Sequence, residues 1–220
     1  MSKKYYTESS EKNMKPIDWD KHWEEKEEPQ DAQAFAEKMA QRIIAFIEGK
    51  KISSVADYGC GPASMLFVLA EKLPQIRFHG YDASDSIIKK NKEKASILNL
   101  VNLGFTTDVL PDPRSDIKHD LITCFSTLHY ISDIREAIKD LYGMVNHGGW
   151  LMFNYPSRLT RSQMRKEIAP DDEYMNRRFQ LVLERENLLS MSQIEKILGQ
   201  KPEKFYSSER YNIYVKIPKP

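Results

Sequence analysis

The chain has no apolar run that approaches the roughly 18 residues of a membrane-spanning helix, so no membrane span is predicted. It has only two cysteines, Cys60 and Cys124, in different predicted strand-end loops, and we recognise no secretory signal. This combination favours a reducing, cytoplasmic location. An excess of one charge is also missing, because 33 Lys and Arg residues face 32 Asp and Glu residues. Without a net positive field, a nucleic-acid partner is not expected.

Internal repeats and low-complexity tracts are absent as well, and 220 residues fit one domain. Apolar strands alternate with helical segments along most of the chain, which predicts a parallel sheet with right-handed crossovers. The predicted strands are Ile52–Asp57, Ile76–Asp82, Leu103–Asp108, Leu121–Phe125 and Trp150–Tyr155, and the predicted helices are Asp31–Gly49, Pro62–Leu73, Ser84–Leu98 and Ile134–Val145.

The two ends of the chain follow a different pattern. Residues 1–30 are polar and predict an arm with a short helix, and residues 31–157 form the predicted core. In residues 158–220 the first part stays unassigned, because Phe179 to Glu184 fits both the helical and the strand period. Ser190 and Gln193 predict a capping box for a helix that ends at Gly199. A strand pair, Lys204–Ser208 and Tyr211–Ile217 joined through Glu209 and Arg210, completes the predicted domain.

The most informative segment is V-A-D-Y-G-C-G-P-A, from Val55 to Ala63. Glycines at positions 59 and 61 allow a tight turn that brings a ligand against bare backbone. Asp57 precedes this turn and would repel a pyrophosphate, whereas it would attract a cationic or zwitterionic ligand. The third glycine of a dinucleotide-binding motif is missing, because Ser64 occupies its position. Alternatively, the two glycines only connect a strand to a helix and bind no ligand.

The D-x-G-x-G pattern resembles motif I of the class I S-adenosylmethionine-dependent methyltransferases. The resemblance implies a Rossmann-like, doubly wound, seven-stranded, mostly parallel sheet with an antiparallel last strand and helices on both faces. It implies S-adenosylmethionine as cofactor, methyl transfer to an oxygen or nitrogen atom of a small-molecule acceptor, and no metal. In motif I the cofactor residues are Asp57, Gly59, Cys60 and Gly61.

Further cofactor residues are expected at the following strand ends, where open parallel sheets bind ligands. Asp82, with Ala83, is placed to accept the ribose hydroxyls, and Ser84 is better suited to cap the next helix. By the resemblance, Asp108 accepts a hydrogen bond from the adenine amino group and Val109 offers its backbone N–H. The resemblance also places three residues beside the methionine part of the cofactor, namely Cys124, Phe125 and Ser126.

Candidates for catalysis and acceptor binding are less sharply defined. His129 could accept a proton from the acceptor or could have a structural role. Tyr155 could line the acceptor pocket. Cys124 is predicted to be a buried small side chain rather than a nucleophile. Trp19 and Trp23 could form a lid or a staple against the core, and Tyr130 and Arg158 are candidate acceptor contacts. The basic residues after Arg158 could be a solvated helix face or could pair with an acidic substrate; they are Arg161, Arg165, Lys166, Arg177, Arg178 and Arg185.

Two other functions stay open at this stage. A protein or RNA methyltransferase would need an exposed groove, and for RNA a continuous basic strip. A cofactor-binding protein without catalysis would carry the same glycine turn and acidic residues. The oligomeric state is not predicted.

Overall fold

A computed structural model describes residues 17–25, 30–207 and 212–220. Most of the predicted arm and the predicted connection through Glu209 and Arg210 therefore lie outside the described residues. The strands are β1 (Ser54–Tyr58), β2 (Arg77–Asp82), β3 (Leu103–Thr107), β4 (His119–Cys124), β5 (Val145–Tyr155), β6 (Glu203–Ser207) and β7 (Ile213–Pro218).

These seven strands form one sheet in the order β3-β2-β1-β4-β5-β7-β6. Strands β1 to β5 pair in parallel, whereas β7 is inserted antiparallel between β5 and β6. The predicted fold class, with its antiparallel last strand, is confirmed. The strand order reverses between β1 and β4, so the carboxyl ends of these two strands mark the crevice in which such sheets bind ligands.

Helices cover both faces of the sheet. One core contains Met39 and Ile43, Leu66 and Ile88, which come from three helices on the same face. The core on the other face includes Ile138 and Ile194. The helices are α1 (Trp19–Glu25), α2 (Gln30–Ile47), α3 (Ser64–Lys72), α4 (Asp85–Ile97), α5 (Ile134–Gly143), α6 (Arg158–Glu167), α7 (Glu173–Arg178), α8 (Gln180–Leu183) and α9 (Met191–Leu198), with a 3₁₀ turn at Leu128–Tyr130. No helix within the described ranges is long and apolar enough to cross a bilayer.

The Gly148–Gly149 pair in the sequence predicts a connection before the last parallel strand. This prediction is wrong, because β5 begins at Val145, five residues before the predicted start at Trp150. Glycine weakens a strand on average, which is why the pair indicated a turn. Here a Cβ on Gly149 would lie 2.5 Å from the Asp120 carbonyl oxygen. The glycine permits a close approach of two strand backbones beside the irregular register of β4 and β5.

The unassigned region after Arg158 consists of α6, α7 and α8. Helix α6 starts with a capping box formed by Ser157 and Thr160, and the Asp172 side chain caps α7. Helices of 6 and 4 residues, as in α7 and α8, are too short for periodicity to distinguish from strands. The predicted capping box of Ser190 and Gln193 and the stop at Gly199 are confirmed.

Candidate functional site

A cavity of about 290 Å³ opens at the carboxyl ends of β1, β2 and β4 and is covered by residues of α1 and α2. It brings together most of the residues predicted to bind cofactor or acceptor. Those that line it are Asp57, Gly59, Cys60, Gly61, Asp82, Ala83, Asp108, Val109, Phe125, Ser126, Trp19, Trp23 and Tyr130. Cys124, His129, Tyr155 and Arg158 do not line it.

The glycine turn after β1 uses its own backbone donors internally. The N–H groups of Gly59 and Cys60 both donate to the Tyr81 carbonyl, at 2.7 and 3.0 Å, and Gly61 donates to Asp82 Oδ2 at 2.9 Å. The next residue, Pro62, has no N–H. Gly59 has a φ of +72°, and a Cβ there would lie 2.1 Å from Thr127 Oγ1, so the turn requires glycine. A phosphate would find these amides already engaged, in contrast to a phosphate-binding glycine loop.

Asp82 holds the turn and still faces the cavity. Besides the bond from Gly61, it accepts a hydrogen bond from the backbone N–H of Ser84 at 3.0 Å through Oδ1. The Ala83 backbone is a third donor to this carboxylate, whose two oxygens offer about four acceptor sites, so acceptor capacity remains for a ligand. Burial raises the pKa of Asp82, although these backbone donors oppose the shift. The N-cap of α4 is Ser84, which accepts from the Ile87 amide, so the Asp82 carboxylate is free of that role.

Asp57 is buried at the end of β1. The Thr123 hydroxyl donates to its Oδ1 at 2.7 Å. Burial, together with the negative charge of Asp82, raises the pKa of Asp57 to about 7 in spite of that hydrogen bond. The turn therefore has two carboxyl groups whose ionisation a positively charged ligand would favour.

Asp108 follows β3 and organises the loop after it. Its Oδ1 accepts from the N–H groups of Val109 and Arg114, both at 2.9 Å, and its Oδ2 accepts from Ser115 N–H at 3.2 Å. The Val109 amide is thus occupied by the neighbouring carboxylate. A purine that took the predicted hydrogen bond from Val109 would have to replace this one.

Helix α1 lies over the glycine turn. Asp20 Oδ1 accepts from the Ser84 hydroxyl at 2.7 Å and from the Ser86 N–H at 3.0 Å, which fixes α1 to the N-terminus of α4. The Lys90 ammonium donates to the Trp23 carbonyl oxygen. The Trp23 indole lies above Gly61, where a Cβ would be 3.2 Å from it, and Trp19 contacts Tyr130 edge to face at 5.0 Å.

The residues that do not line the cavity are held elsewhere. Cys124 and Tyr155 are buried in the core that includes Ile138 and Ile194. Burial raises the pKa of the Cys124 thiol well above its usual value. Arg158 is exposed at the start of α6. Burial lowers the pKa of His129 to about 4, although a hydrogen bond with Asn212 opposes the shift. The imidazole is therefore neutral at pH 7, and it packs edge to face with Phe179 at 6.4 Å.

Sequence reasoning missed some of the lining. Phe35 and Met39 of α2 line the cavity, although their helical spacing indicated only a core face. Arg178 also lines it, and its sequence signal was no more than membership of a mixed basic region. Asp20 carried no recognisable signal, because an acidic residue in a polar arm is common and its partners are 64 and 66 residues away.

Comparisons with known proteins identify methyltransferases as similar to this chain. The family model described as "Methyltransferase domain" matches residues 56–151. Malonyl-[acyl-carrier protein] O-methyltransferase 1 of Ilyobacter polytropus is 24% identical over 135 residues, which cover 61% of this chain and 50% of that protein. Trans-aconitate 2-methyltransferase of Escherichia coli is 24% identical over 140 residues, which cover 63% of this chain and 54% of that protein. The chain thus spans about half the length of these curated relatives.

Among solved structures, the chain is similar to magnesium protoporphyrin IX methyltransferase from Synechocystis PCC 6803 with bound SAH. The TM-score is 0.65 at 18% identity, with 92% of this chain and 93% of that chain covered. At this identity the likeness concerns the fold. Residues 56–151 thus match a methyltransferase domain and contain the D-x-G-x-G turn, which supports S-adenosylmethionine as cofactor.

Proposed function

We propose that this protein transfers a methyl group from S-adenosylmethionine to an oxygen or nitrogen atom of a small-molecule acceptor. The observation that carries the proposal is the edge of the cavity, where Asp57, Asp82 and Asp108 lie at the ends of three adjacent strands. Beside them is a glycine turn whose backbone amides already donate hydrogen bonds within the protein. Such a site favours a ligand with positive charge and sugar hydroxyls over a dinucleotide. A curated relative named as an O-methyltransferase supports oxygen as the acceptor atom.

The residues present fit the cofactor. Asp57 would attract the positive charges of the methionyl part, and the open acceptor capacity of Asp82 suits the ribose hydroxyls, with Ala83 beside them. Asp108 would face the adenine amino group. Phe125 and Ser126, after β4, would line the methionyl part, and Cys60 contributes to the wall behind the turn.

S-adenosylmethionine supplies a methyl group that its sulfonium has already activated for in-line displacement. The protein then has to hold the acceptor in line and exclude water, and orientation alone can contribute roughly 7–11 kcal/mol. Trp19, Trp23 and Tyr130 provide an aromatic cover for this purpose. We assign His129 and Tyr155 to structural roles, because both are buried outside the cavity lining.

The substitution Asp82→Asn tests the cofactor assignment. It keeps the shape of the side chain but removes the charge and half of the acceptor capacity, so we expect affinity for S-adenosylmethionine to fall by on the order of 2 kcal/mol, or about 30-fold. Isothermal titration calorimetry measures the change, with Asp85→Asn, an exposed carboxylate in the first turn of α4, as the matched control. Equal affinities of the two variants would remove Asp82 from the cofactor site.

A protein that binds S-adenosylmethionine without catalysing methyl transfer would show the same cofactor affinities. The two functions separate in a turnover assay, in which methyl-labelled S-adenosylmethionine is incubated with the protein and a panel of small phenols, amines and carboxylic acids. Label transfer to a small molecule supports the enzyme. Tight cofactor binding with no transfer to any member of a broad panel would favour the binder.

A further inference from the structure

The charges that line the cavity are unevenly distributed. Its carboxylates, Asp57, Asp82 and Asp108, lie at the ends of β1, β2 and β3. Among the described lining residues, Arg178 at the end of α7 is the one cation. Its side chain lies next to Tyr130, and Tyr130 belongs to the 3₁₀ turn that follows β4. The described lining of the cavity therefore has one positive charge, beside Tyr130, in addition to its three carboxyl groups.

Neighbouring aromatic residues fix the Arg178 guanidinium in place. Its Nε donates to the Tyr130 hydroxyl at 3.0 Å, and its central carbon lies 5.6 Å from the Tyr130 ring centroid and 5.4 Å from that of Phe179. Tyr130 in turn contacts Trp19 of the covering helix. Within the described part of the chain, no carboxylate forms an ion pair with Arg178. A half-buried arginine without an acidic partner can pair with an anionic ligand.

The other titratable groups of the described lining are poorly suited to accept a proton from an acceptor. The Tyr130 hydroxyl already interacts with Arg178, and burial raises its pKa. Cys60 is buried behind the glycine turn, and burial raises the pKa of its thiol. The carboxyl groups of Asp57, Asp82 and Asp108 accept hydrogen bonds from the turn, the neighbouring strands and the loop after β3. The Tyr58 hydroxyl donates to the Met144 sulfur. An acceptor that is already an anion needs no such base.

We propose that the acceptor is a carboxylate-bearing small molecule, that Arg178 binds its carboxylate, and that one carboxylate oxygen receives the methyl group. This inference rests on the proposed function and narrows it. An oxygen lone pair forms the new O–CH₃ bond while the C–S bond breaks and its electron pair stays on sulfur. The products are a neutral methyl ester and a thioether, and no proton moves. Loss of the negative charge also weakens the contact with Arg178, which favours release of the ester.

The test compares Arg178→Gln with Arg177→Gln, an exposed arginine on the same helix that does not line the cavity. The probes are hexanoate, octanoate, benzoate and phenylacetate, each paired with its primary amide. First, binding to the SAH-loaded protein is followed by intrinsic tryptophan fluorescence, to which Trp19 and Trp23 at the cavity and Trp150 in β5 contribute. Second, formation of methyl esters is measured by mass spectrometry with S-adenosylmethionine as donor.

We expect wild-type protein and Arg177→Gln to bind at least one acid about 10-fold or more tightly than its amide and to esterify it. Arg178→Gln should lose this preference and lower kcat/KM by about 30- to 100-fold, mainly through KM, while affinity for S-adenosylmethionine changes less than about 2-fold. Arg178→Lys should recover part of the preference, since it restores the charge but not the fork of donors.

Failure of this inference differs from failure of the proposed function. If SAH binds but no acid is preferred to its amide, or if Arg178→Gln esterifies acids as well as Arg177→Gln does, the role of Arg178 is wrong and the methyltransferase assignment stands. Methylation of phenols or amines in place of acids would likewise contradict the role of Arg178 and leave the methyltransferase assignment in place. If neither S-adenosylmethionine nor SAH binds, both proposals are wrong.

Discussion

At the scale of single residues, Asp57 is held in an environment that disfavours its ionised form. With its pKa raised to about 7, the folded protein retains a proton that the unfolded chain releases near pH 4. The free energy of unfolding of the cofactor-free protein therefore decreases as pH rises through this interval. A positively charged ligand offsets that cost when it binds to the ionised carboxylate.

The substitution Asp57→Asn separates stability from binding. It keeps an oxygen that can accept the Thr123 hydrogen bond, so we expect the free energy of unfolding at pH 7 to increase by on the order of 2 kcal/mol in the absence of cofactor. Affinity for S-adenosylmethionine should decrease about 10-fold at pH 7.5. Urea denaturation and calorimetry measure the two changes.

The pH profile provides the control for this variant. Wild-type affinity should rise from about pH 5.5 to about pH 7.5 as Asp57 ionises, and the profile of Asp57→Asn should be flatter. Asp82, which also has a raised pKa, remains in both proteins and contributes a residual slope to each profile. Identical slopes in the two proteins would contradict the assignment of Asp57.

At the scale of secondary structure, α1 acts as a cover that is fixed to α4 by few contacts. None of its residues is buried. Asp20 accepts hydrogen bonds from Ser84 and Ser86, and the Trp23 carbonyl accepts one from Lys90 of α4. We expect Asp20→Ala to release the cover while the core remains folded. The dissociation rate of S-adenosylmethionine should then increase about 10-fold, with a change of less than about 1 kcal/mol in the free energy of unfolding.

Stopped-flow measurement of intrinsic tryptophan fluorescence follows this rate, since Trp19 and Trp23 line the cavity and Trp150 lies in β5. Glu25→Ala is the matched control, since Glu25 lies at the end of the same helix and pairs with Lys21 on an exposed surface. An unchanged dissociation rate in Asp20→Ala, or an equal increase in the control, would show that α1 does not gate the cavity.

The sequence predicted most elements of the core, because strands β1 to β4 and helices α2 to α5 have clear periodicity and turn residues between them. It failed where tertiary contacts override local preference. Gly149 lies within β5 because two backbones meet there closely, and Gly148 has a φ of +79°, which favours glycine. Helices α7 and α8 are shorter than the patterns that identify helices. Ser190 and Gly199, in contrast, carry local capping chemistry and marked α9 correctly.

At the scale of the whole molecule, the sheet topology assembles a cavity from residues that are distant in sequence. The residues predicted from strand ends, such as Asp82, could be placed because parallel strands end at one edge. The positions of Arg178 and Asp20 depend on how α7 and α1 fold back over that edge, which no local pattern encodes. The occupied amide of Val109 likewise depends on the conformation of the Asp108 loop.

The central claim is that the turn after β1 accepts a positively charged adenosyl ligand and disfavours a diphosphate. Isothermal titration of the protein with S-adenosylmethionine and, separately, with NAD at about pH 7.5 tests it most directly. We predict saturable heat with S-adenosylmethionine and none with NAD. The absence of heat with S-adenosylmethionine, or tighter binding of NAD, would contradict the account.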